Sequence, residues 1–283
     1  MAAPLTGGGD NGGSVEELEI ALLLEGVRRR FGQDFRDYRP ESVHRGVRAL
    51  MAQYALHTVS ALQERVLHDK AAAAALLRAL SPQPTALFDD PAHFRALRAQ
   101  LGPLLRSSPV PRLWLAECVC PEQIYAVAIL LAEEKLEERT QIFATAANEV
   151  LLQEAREGVF SRERLSSYAE NHMRSGGSRP FADYVALHGD SARFDAGLVA
   201  NVTWCQYSLA SNASFNEFQL IMCRQALSDY GPRLRQRVLR LFDDSIAPLG
   251  ILGLDRGDEL ERLPFAGSYR QLAGRGDLYR RVR

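Results

Sequence analysis

Residues 112–134, RLWLAECVCPEQIYAVAILLAEE, constrain this chain more than any other stretch. Leu113, Trp114 and Leu115 form a short apolar run suited to a buried strand. After a brief turn, apolar residues recur at helical spacing. A buried strand feeding a helix through a tight turn is the opening unit of a doubly wound sheet, in which ligands bind beyond the carboxyl ends of the strands. Glycine ordinarily builds that turn, because the backbone N–H groups must approach a nucleotide-like ligand closely. Here the turn reads Glu117-Cys118-Val119-Cys120-Pro121 and contains no glycine. The chain thus pairs a ligand-binding architecture with a turn stripped of the residues that make the contact.

The flanking segments fall into two patterns. Ser14 followed by Glu17 is a capping box that opens a helix running to about Arg30. A second helix begins at Pro40 and carries Val43, Val47, Leu50, Met51 and Tyr54 at helical spacing. Thr58 and Asp69 suit the N-caps of two more helices, the second running to Leu80. Residues 14–80 therefore read as an all-helical module behind a glycine-rich, disordered leader at 1–13. The proline-punctuated segment 81–91 is a linker, and a helix at 92–105 leads into the strand described above.

Beyond it, strands at 141–145, 218–223 and 250–254 alternate with helices at 148–157 and 233–244. That alternation predicts an α/β domain over 92–283 with a mostly parallel sheet. Short alternating runs around Gly189-Asp190 predict a small antiparallel insert at about 171–204. The tail, SYRQLA then LYRRVR around Gly274-Arg275-Gly276-Asp277, predicts a closing hairpin.

A net charge of −1 gives no global field for nucleic acid or an anionic membrane, and no apolar run reaches the roughly 18 residues a membrane span needs. Cys118, Cys120, Cys205 and Cys223 sit in apolar segments and read as reduced thiols of a cytoplasmic protein. Cys118 and Cys120 lack the two further ligands of a metal site. His172 and His188 read as surface residues, and Trp114, Trp204 and Tyr207 as core aromatics. Arg28, Arg29, Arg30, Arg36, Arg39, Arg45 and Arg48 form the densest basic region, either a solvated face or a docking surface.

The order of pieces, with four blocks at suitable spacing, resembles the CheR family of chemoreceptor glutamate O-methyltransferases. The blocks are RRRFGQDFRDYRPESV (28–43), WLAECVCPEQIYAVAILLAEE (114–134), IFATAANEVLLQEAREGVF (142–160) and LIMCRQALSDYGPRLRQRVL (220–239). The resemblance covers about 18–283. It implies a Rossmann-like sheet binding S-adenosylmethionine, an N-terminal helical domain and an acidic helical chemoreceptor as partner, with a basic face such as Arg45 and Arg48 meeting it. In some members the antiparallel insert binds a short receptor peptide by adding a strand to its edge.

The departures from the family pattern concentrate on the chemistry. Of an Asn-Glu-Thr turn and a Phe-Phe-Arg run, only Thr85 and Phe88 remain, and the arginine that reaches the cofactor falls on Asp89. Glu117 and Pro121 replace the two glycines of the first turn, while Cys118 and Glu122 match. The acid that binds the ribose hydroxyls falls on Ala146, and the next acid on Asn148. An Asn-Leu pair beside the adenine falls on Ser208-Leu209. Gln225 replaces an asparagine, and the active-site tyrosine falls on Asp229, or on Tyr230 if the register slips by one.

Losing the ribose acceptor at Ala146 alone removes about 1.5–3 kcal/mol, and an incoming glutamate would meet like charge at Asp89. The resemblance thus implies a vestigial pocket of Thr85, Ala116, Glu117, Cys118, Pro121, Glu122, Ala146, Ser208, Leu209 and Gln225, with no catalytic residue and no bound cofactor. It points to a non-catalytic, protein-binding component of bacterial chemosensory signalling. An active methyltransferase with a remodelled turn, and a sensor of another nucleotide-like ligand, are the alternatives.

Overall fold

In the computed structural model, Ser14 closes the predicted capping box at the start of α1 (Val15–Phe31): its N–H donates to Glu17 Oε2 and its Oγ accepts from the Glu17 N–H. Residues 14–256, 260, 264–272 and 277–282 are described; the leader at 1–13 and the tail turn at 274–276 lie outside them. Two compact units emerge, one ending at Leu80 and the other running from Ser81, with residues 37–39 belonging to the second.

The first unit contains α1, α2 (Pro40–Gln53), α3 (Val59–His68) and α4 (Lys70–Ala79). Thr58 and Asp69 cap α3 and α4 by accepting the Ala61 and Ala71 N–H groups. Leu23, Val27, Val47, Leu62 and Leu76 fill its core. Gly46 lets α2 and α4 approach closely, since a Cβ there would lie 2.8 Å from the Ala79 carbonyl oxygen.

The second unit is built on α5 (Pro91–Ser107), β1 (Arg112–Ala116), α6 (Pro121–Glu133), β2 (Gln141–Ala146), α7 (Glu149–Glu157), β3 (Val159–Ser161), α8 (Leu165–Arg174), β4 (Val185–His188), β5 (Ser191–Phe194), β6 (Val202–Gln206), β7 (Phe218–Met222), α9 (Pro232–Ser245), β8 (Ile246–Gly253), β9 (Tyr269–Gln271) and β10 (Leu278–Arg281). Seven strands form one sheet in the order β6-β2-β1-β7-β8-β10-β9. β1 runs parallel to β2 and β7, while β10 is antiparallel to both β8 and β9. The strand order reverses beside β1, so the crevice for a ligand opens at the carboxyl ends of β1, β2 and β7. Trp114 on β1 is fully buried, edge-on to Tyr207 and Phe242, and its Nε1 donates to Thr145 Oγ1 at 2.8 Å.

The antiparallel insert differs from the sequence expectation at both ends. β6, which contains Trp204, pairs in parallel with β2 and forms an edge of the main sheet. Its alternating exposure comes from that edge position, and alternation is also the mark of an antiparallel strand, hence the misreading. The insert is the three-stranded sheet β3-β5-β4, and its first strand, at 159–161, is too short to show a period. His172 is buried on α8, and its Nε2 lies 3.0 Å from Glu133 Oε1; His188 is exposed. Trp204 is half-buried and Cys205 exposed, whereas Cys118, Cys120 and Cys223 are buried. β8 also starts earlier than predicted, at Ile246, because a register shift opposite Phe218–Leu220 interrupts its pattern.

Candidate functional site

Glu117 is the first residue beyond β1. Its φ of 57° lies in the left-handed region, which glycine enters freely and a side chain enters at a cost of about 1–2 kcal/mol. The side chain is 3% exposed, and Oε1 accepts the Ala147 N–H at 3.2 Å, tying the end of β1 to the end of β2. Burial raises the carboxyl from its ordinary 4.5 to about 7, with the Ala147 N–H offsetting part of the effect.

The rest of the turn is closed by its own groups. The Cys118 N–H donates to the Thr145 carbonyl at 2.7 Å, and its thiol, pushed well up by burial, donates to the Leu115 carbonyl. Gln123 Oε1 accepts the Val119 N–H at 3.0 Å, and Pro121 begins α6 without an N–H to offer. Burial, then the neighbouring Glu122 charge, raises the Cys120 thiol to about 11. Glu122, also buried, accepts from the Tyr168 hydroxyl at 2.5 Å and from Arg164 at 3.3 Å.

Asp89 accepts from Arg224 at 2.6 Å. Arg224 also lies 3.5 Å from Asp255 and 6.0 Å from the Phe94 ring centroid. Gln225 sits at φ 69°, and its N–H donates to the Asp255 carboxylate. Thr85, Asp89, Ala116, Cys118, Glu122 and Arg224 converge on a single cavity of about 20 Å³. One water needs about 10–15 Å³, so this cavity has room for about one water, and Glu117, Ala146, Ser208, Leu209 and Gln225 do not line it.

Two family models match the chain: the CheR methyltransferase all-alpha domain over residues 18–81, and the CheR methyltransferase SAM binding domain over residues 83–269. The chain belongs to the CheR methyltransferase family. Among its relatives is "Putative methyltransferase Cher3" of Pseudomonas putida, 37% identical over 265 residues that cover 94% of this chain and 97% of that one. The chemotaxis protein methyltransferase of Escherichia coli is 24% identical over 194 residues, covering 67% and 65%. The N-methyltransferase NodS of Bradyrhizobium japonicum, solved with S-adenosylhomocysteine, is 12% identical with a TM-score of 0.37 over 79% of this chain and 98% of that one. A likeness that distant says nothing about the site.

The remaining positions of this CheR-family chain divide by element. Ala146 is buried at the end of β2 and offers only its carbonyl, which accepts the Tyr207 N–H. Asn148 caps α7 by accepting the Val150 and Leu151 N–H groups, so its carboxamide oxygen is engaged. Leu209 belongs to the core around Trp114, and the Ser208 carbonyl accepts from Ser211 and Asn212 in a local turn.

Asp229 is half-exposed and its carbonyl accepts the Arg39 N–H. Tyr230 is buried edge-on to Tyr38, with ring centroids 5.0 Å apart. Burial raises both hydroxyls well above their usual value; the Glu117 charge adds to this in each, after the Tyr38 contribution in the case of Tyr230. Tyr38, Arg164, Tyr168 and Asp255 escaped the sequence reading because no period or motif marks them. Tyr38 lies inside the first family block, which is the one signal that could have found it.

On the helical unit, Arg45 and Arg48 are both exposed on α2, and Arg48 pairs with Glu16 at 2.9 Å. Arg28, Arg29 and Arg36 converge on Glu25 at 2.7, 2.6 and 3.1 Å. Hydrogen bonds from Arg28 and then Arg29 lower its carboxyl to about 2. Much of the basic cluster is thus matched within its own unit. Among the described residues, no group of three or more His, Cys, Asp or Glu is placed to hold a metal, and no helix is long and apolar enough to cross a membrane.

Proposed function

We propose that this chain is a non-catalytic member of the CheR family that acts by binding protein partners in chemosensory signalling. The observation that carries the proposal is the crevice itself. Where Thr85, Asp89, Cys118, Glu122 and Arg224 converge, the free space is about 20 Å³, room for about one water, and the charged groups around it are paired. Glu117 takes the backbone donor at Ala147, and Asp89 takes Arg224. Admitting S-adenosylmethionine would require displacing a buried carboxyl and breaking a short ion pair, with no acceptor gained at Ala146 for the ribose. On this reading the residues present do not fit the cofactor, and the chain carries out no methyl transfer.

Isothermal titration of the full chain with S-adenosylmethionine and S-adenosylhomocysteine tests this. No saturable heat is expected. Micromolar affinity, about −8 kcal/mol, overturns the proposal. Glu117→Gly, Pro121→Gly and Ala146→Asp together are expected to recover part of the binding.

Two surfaces serve the partner role: the Arg45 and Arg48 face of α2, toward an acidic helical partner such as a chemoreceptor, and the exposed edge of β4 in the insert. The second reading, an active S-adenosylmethionine-dependent protein-glutamate O-methyltransferase, is favoured by the name of the Pseudomonas putida relative and by the retained Cys118, Glu122 and Arg224. Transfer of a labelled methyl group to a receptor fragment would establish it. A sensor of another nucleotide-like ligand needs the same space and meets the same obstruction.

A further inference from the structure

Residues 196–216, AGLVANVTWCQYSLASNASFN, contain no Asp, Glu, Lys, Arg or His, in a chain that is 24% charged. All but Tyr207 and Leu209 are exposed or half-exposed. A protein surface ordinarily carries about one charged residue in every three or four. An exposed stretch with none, holding Trp204 and Phe215, has the composition of an interface core. β6 runs through this stretch and ends the main sheet. The Asn201 carbonyl accepts the Ile142 N–H, and the Tyr207 N–H donates to the Ala146 carbonyl, so the odd-numbered residues of β6 bond to β2. The N–H and C=O groups of Val202, Trp204 and Gln206 therefore point away from the sheet. The Gln206 carbonyl takes only the Cys205 thiol, at 3.4 Å, and the others have no partner among the described residues. Exposed edges are ordinarily blunted by charge, proline or shortness. The opposite edge, β9, has three residues and carries Arg270, whereas β6 has five and no charge, proline or glycine.

We propose that β6 pairs antiparallel with β6 of a second copy of this chain, about a two-fold axis at Trp204, joining the two sheets into one. With the axis there, Trp204 faces its own copy and Val202 faces Gln206, so every outward group meets a donor or an acceptor. Centring the axis on Cys205 would set Val202 beyond the end of the opposing strand. The occupant is a second copy because the neutral stretch extends to both sides of Trp204. The two-fold lays it against itself, uncharged on uncharged, with no like charges opposed within it. A charged partner strand would find no counter-charge anywhere on 196–216. Five residues a side bury less than a standard interface, so the dimer is weak and depends on concentration. The proposal does not depend on whether the chain transfers methyl groups.

Sedimentation of the full chain from about 5 to 500 µM is expected to show a monomer–dimer equilibrium. It should change little between about 0.05 and 0.5 M salt, since no charges face each other across the axis. Cys205 is the one exposed cysteine. In this register it lies diagonal to Cys205 of the second copy, about 7–8 Å away between Cα atoms. A short bismaleimide should join the two, and Cys205→Ser should lose the cross-link while keeping the association. Cys205→Lys, which sets two like charges beside the axis, should weaken association at least about tenfold. In the unmodified chain, the Trp204 amide should exchange more slowly at high protein concentration than at low. Three results overturn the proposal: a monomer at every concentration, association with unchanged Trp204 exchange, or undiminished association in Cys205→Lys. Sedimentation and exchange of the unmodified chain decide the matter even if a variant fails to fold.

Discussion

Replacing Glu117 by glutamine should stabilise the second unit in a strongly pH-dependent way. The group ionises at 4.5 in the ordinary case and at about 7 in the folded chain, because burial opposes its charge. The folded state therefore holds a proton that the unfolded state has released. The resulting stability is fully present below pH 4.5 and is lost as pH rises through 7. At about 1.4 kcal/mol per pH unit, the difference amounts to about 3 kcal/mol above pH 8, with most of it, about 2.5 kcal/mol, developing between pH 5 and 8. Glutamine has no charge to bury and can still accept the Ala147 N–H.

Urea unfolding of both chains, followed by near-ultraviolet signals from the Trp114 cluster, gives the test. The two stability curves should lie within about 1 kcal/mol of each other at pH 5 and separate by about 3 kcal/mol at pH 8.5. Parallel curves across that range would refute the reasoning, since they would mean that the Glu117 carboxyl is solvated and titrates normally.

Glu133 should behave in the opposite sense: burial would raise its carboxyl, but hydrogen bonds from His172, Ser178 and Arg98 overcome that and hold it at about 2. Its contribution is present above pH 4.5 and is lost as pH falls through 2, so Glu133→Gln should cost on the order of 2–3 kcal/mol at pH 7 and flatten the acid-unfolding limb, read by circular dichroism. Arg45→Glu with Arg48→Glu should abolish capture of an acidic helical partner from native lysate. Thermal stability should change by less than about 1 kcal/mol, the loss of the exposed Arg48–Glu16 pair included. Retention of every partner at low and moderate salt would leave that face merely solvated. Gly158→Ala should lose about 1–3 kcal/mol in chemical unfolding, because the added Cβ would lie 2.6 Å from the Tyr125 hydroxyl at a φ of 66°.

Local signals were legible where a residue type has a single physical use. Ser14, Thr58 and Asp69 sit at helix starts because their short side chains satisfy free N–H groups, and all three do so here. The buried run at 113–115 was equally plain. Edge and short strands were not: β6 alternates as an antiparallel strand does, and β3 has three residues. In the crevice, sequence located Glu117, Asp89 and Ala146 but not their partners. Asp89 pairs with Arg224, 135 residues away, and Glu117 reaches the Ala147 N–H, 30 residues away. Pairings of that kind are set by the sheet order and leave no mark on local pattern. The same holds for His172, which looks isolated in sequence and meets Glu133 only once α8 packs on α6.

The substitutions in the crevice are better understood as two closed pairs than as a series of deletions. Asp89 stands where the family resemblance places an arginine, and its carboxylate meets the Arg224 cation. With Arg224 at 2.6 Å and Asp255 at 3.5 Å, the charges are satisfied inside the protein. Glu117 enters left-handed backbone at a cost of about 1–2 kcal/mol, and its carboxyl then takes the donor at the end of β2. Each pair seals a different part of the crevice, Glu117 between β1 and β2, and Asp89 against the residues that follow β7. Opening one leaves the other in place. Glu117→Gly relieves a strained backbone angle and removes a buried ionisable group, but it also takes the acceptor from the Ala147 N–H and leaves the buried side-chain volume empty, so its effect on stability is a balance of these terms. A gain in cofactor binding does not follow, because Asp89 still holds Arg224 and Ala146 still offers no acceptor. Glu117 therefore bears on both stability and binding, whereas Asp89 and Ala146 continue to limit binding after it is changed, and a more stable variant is not thereby a more competent one.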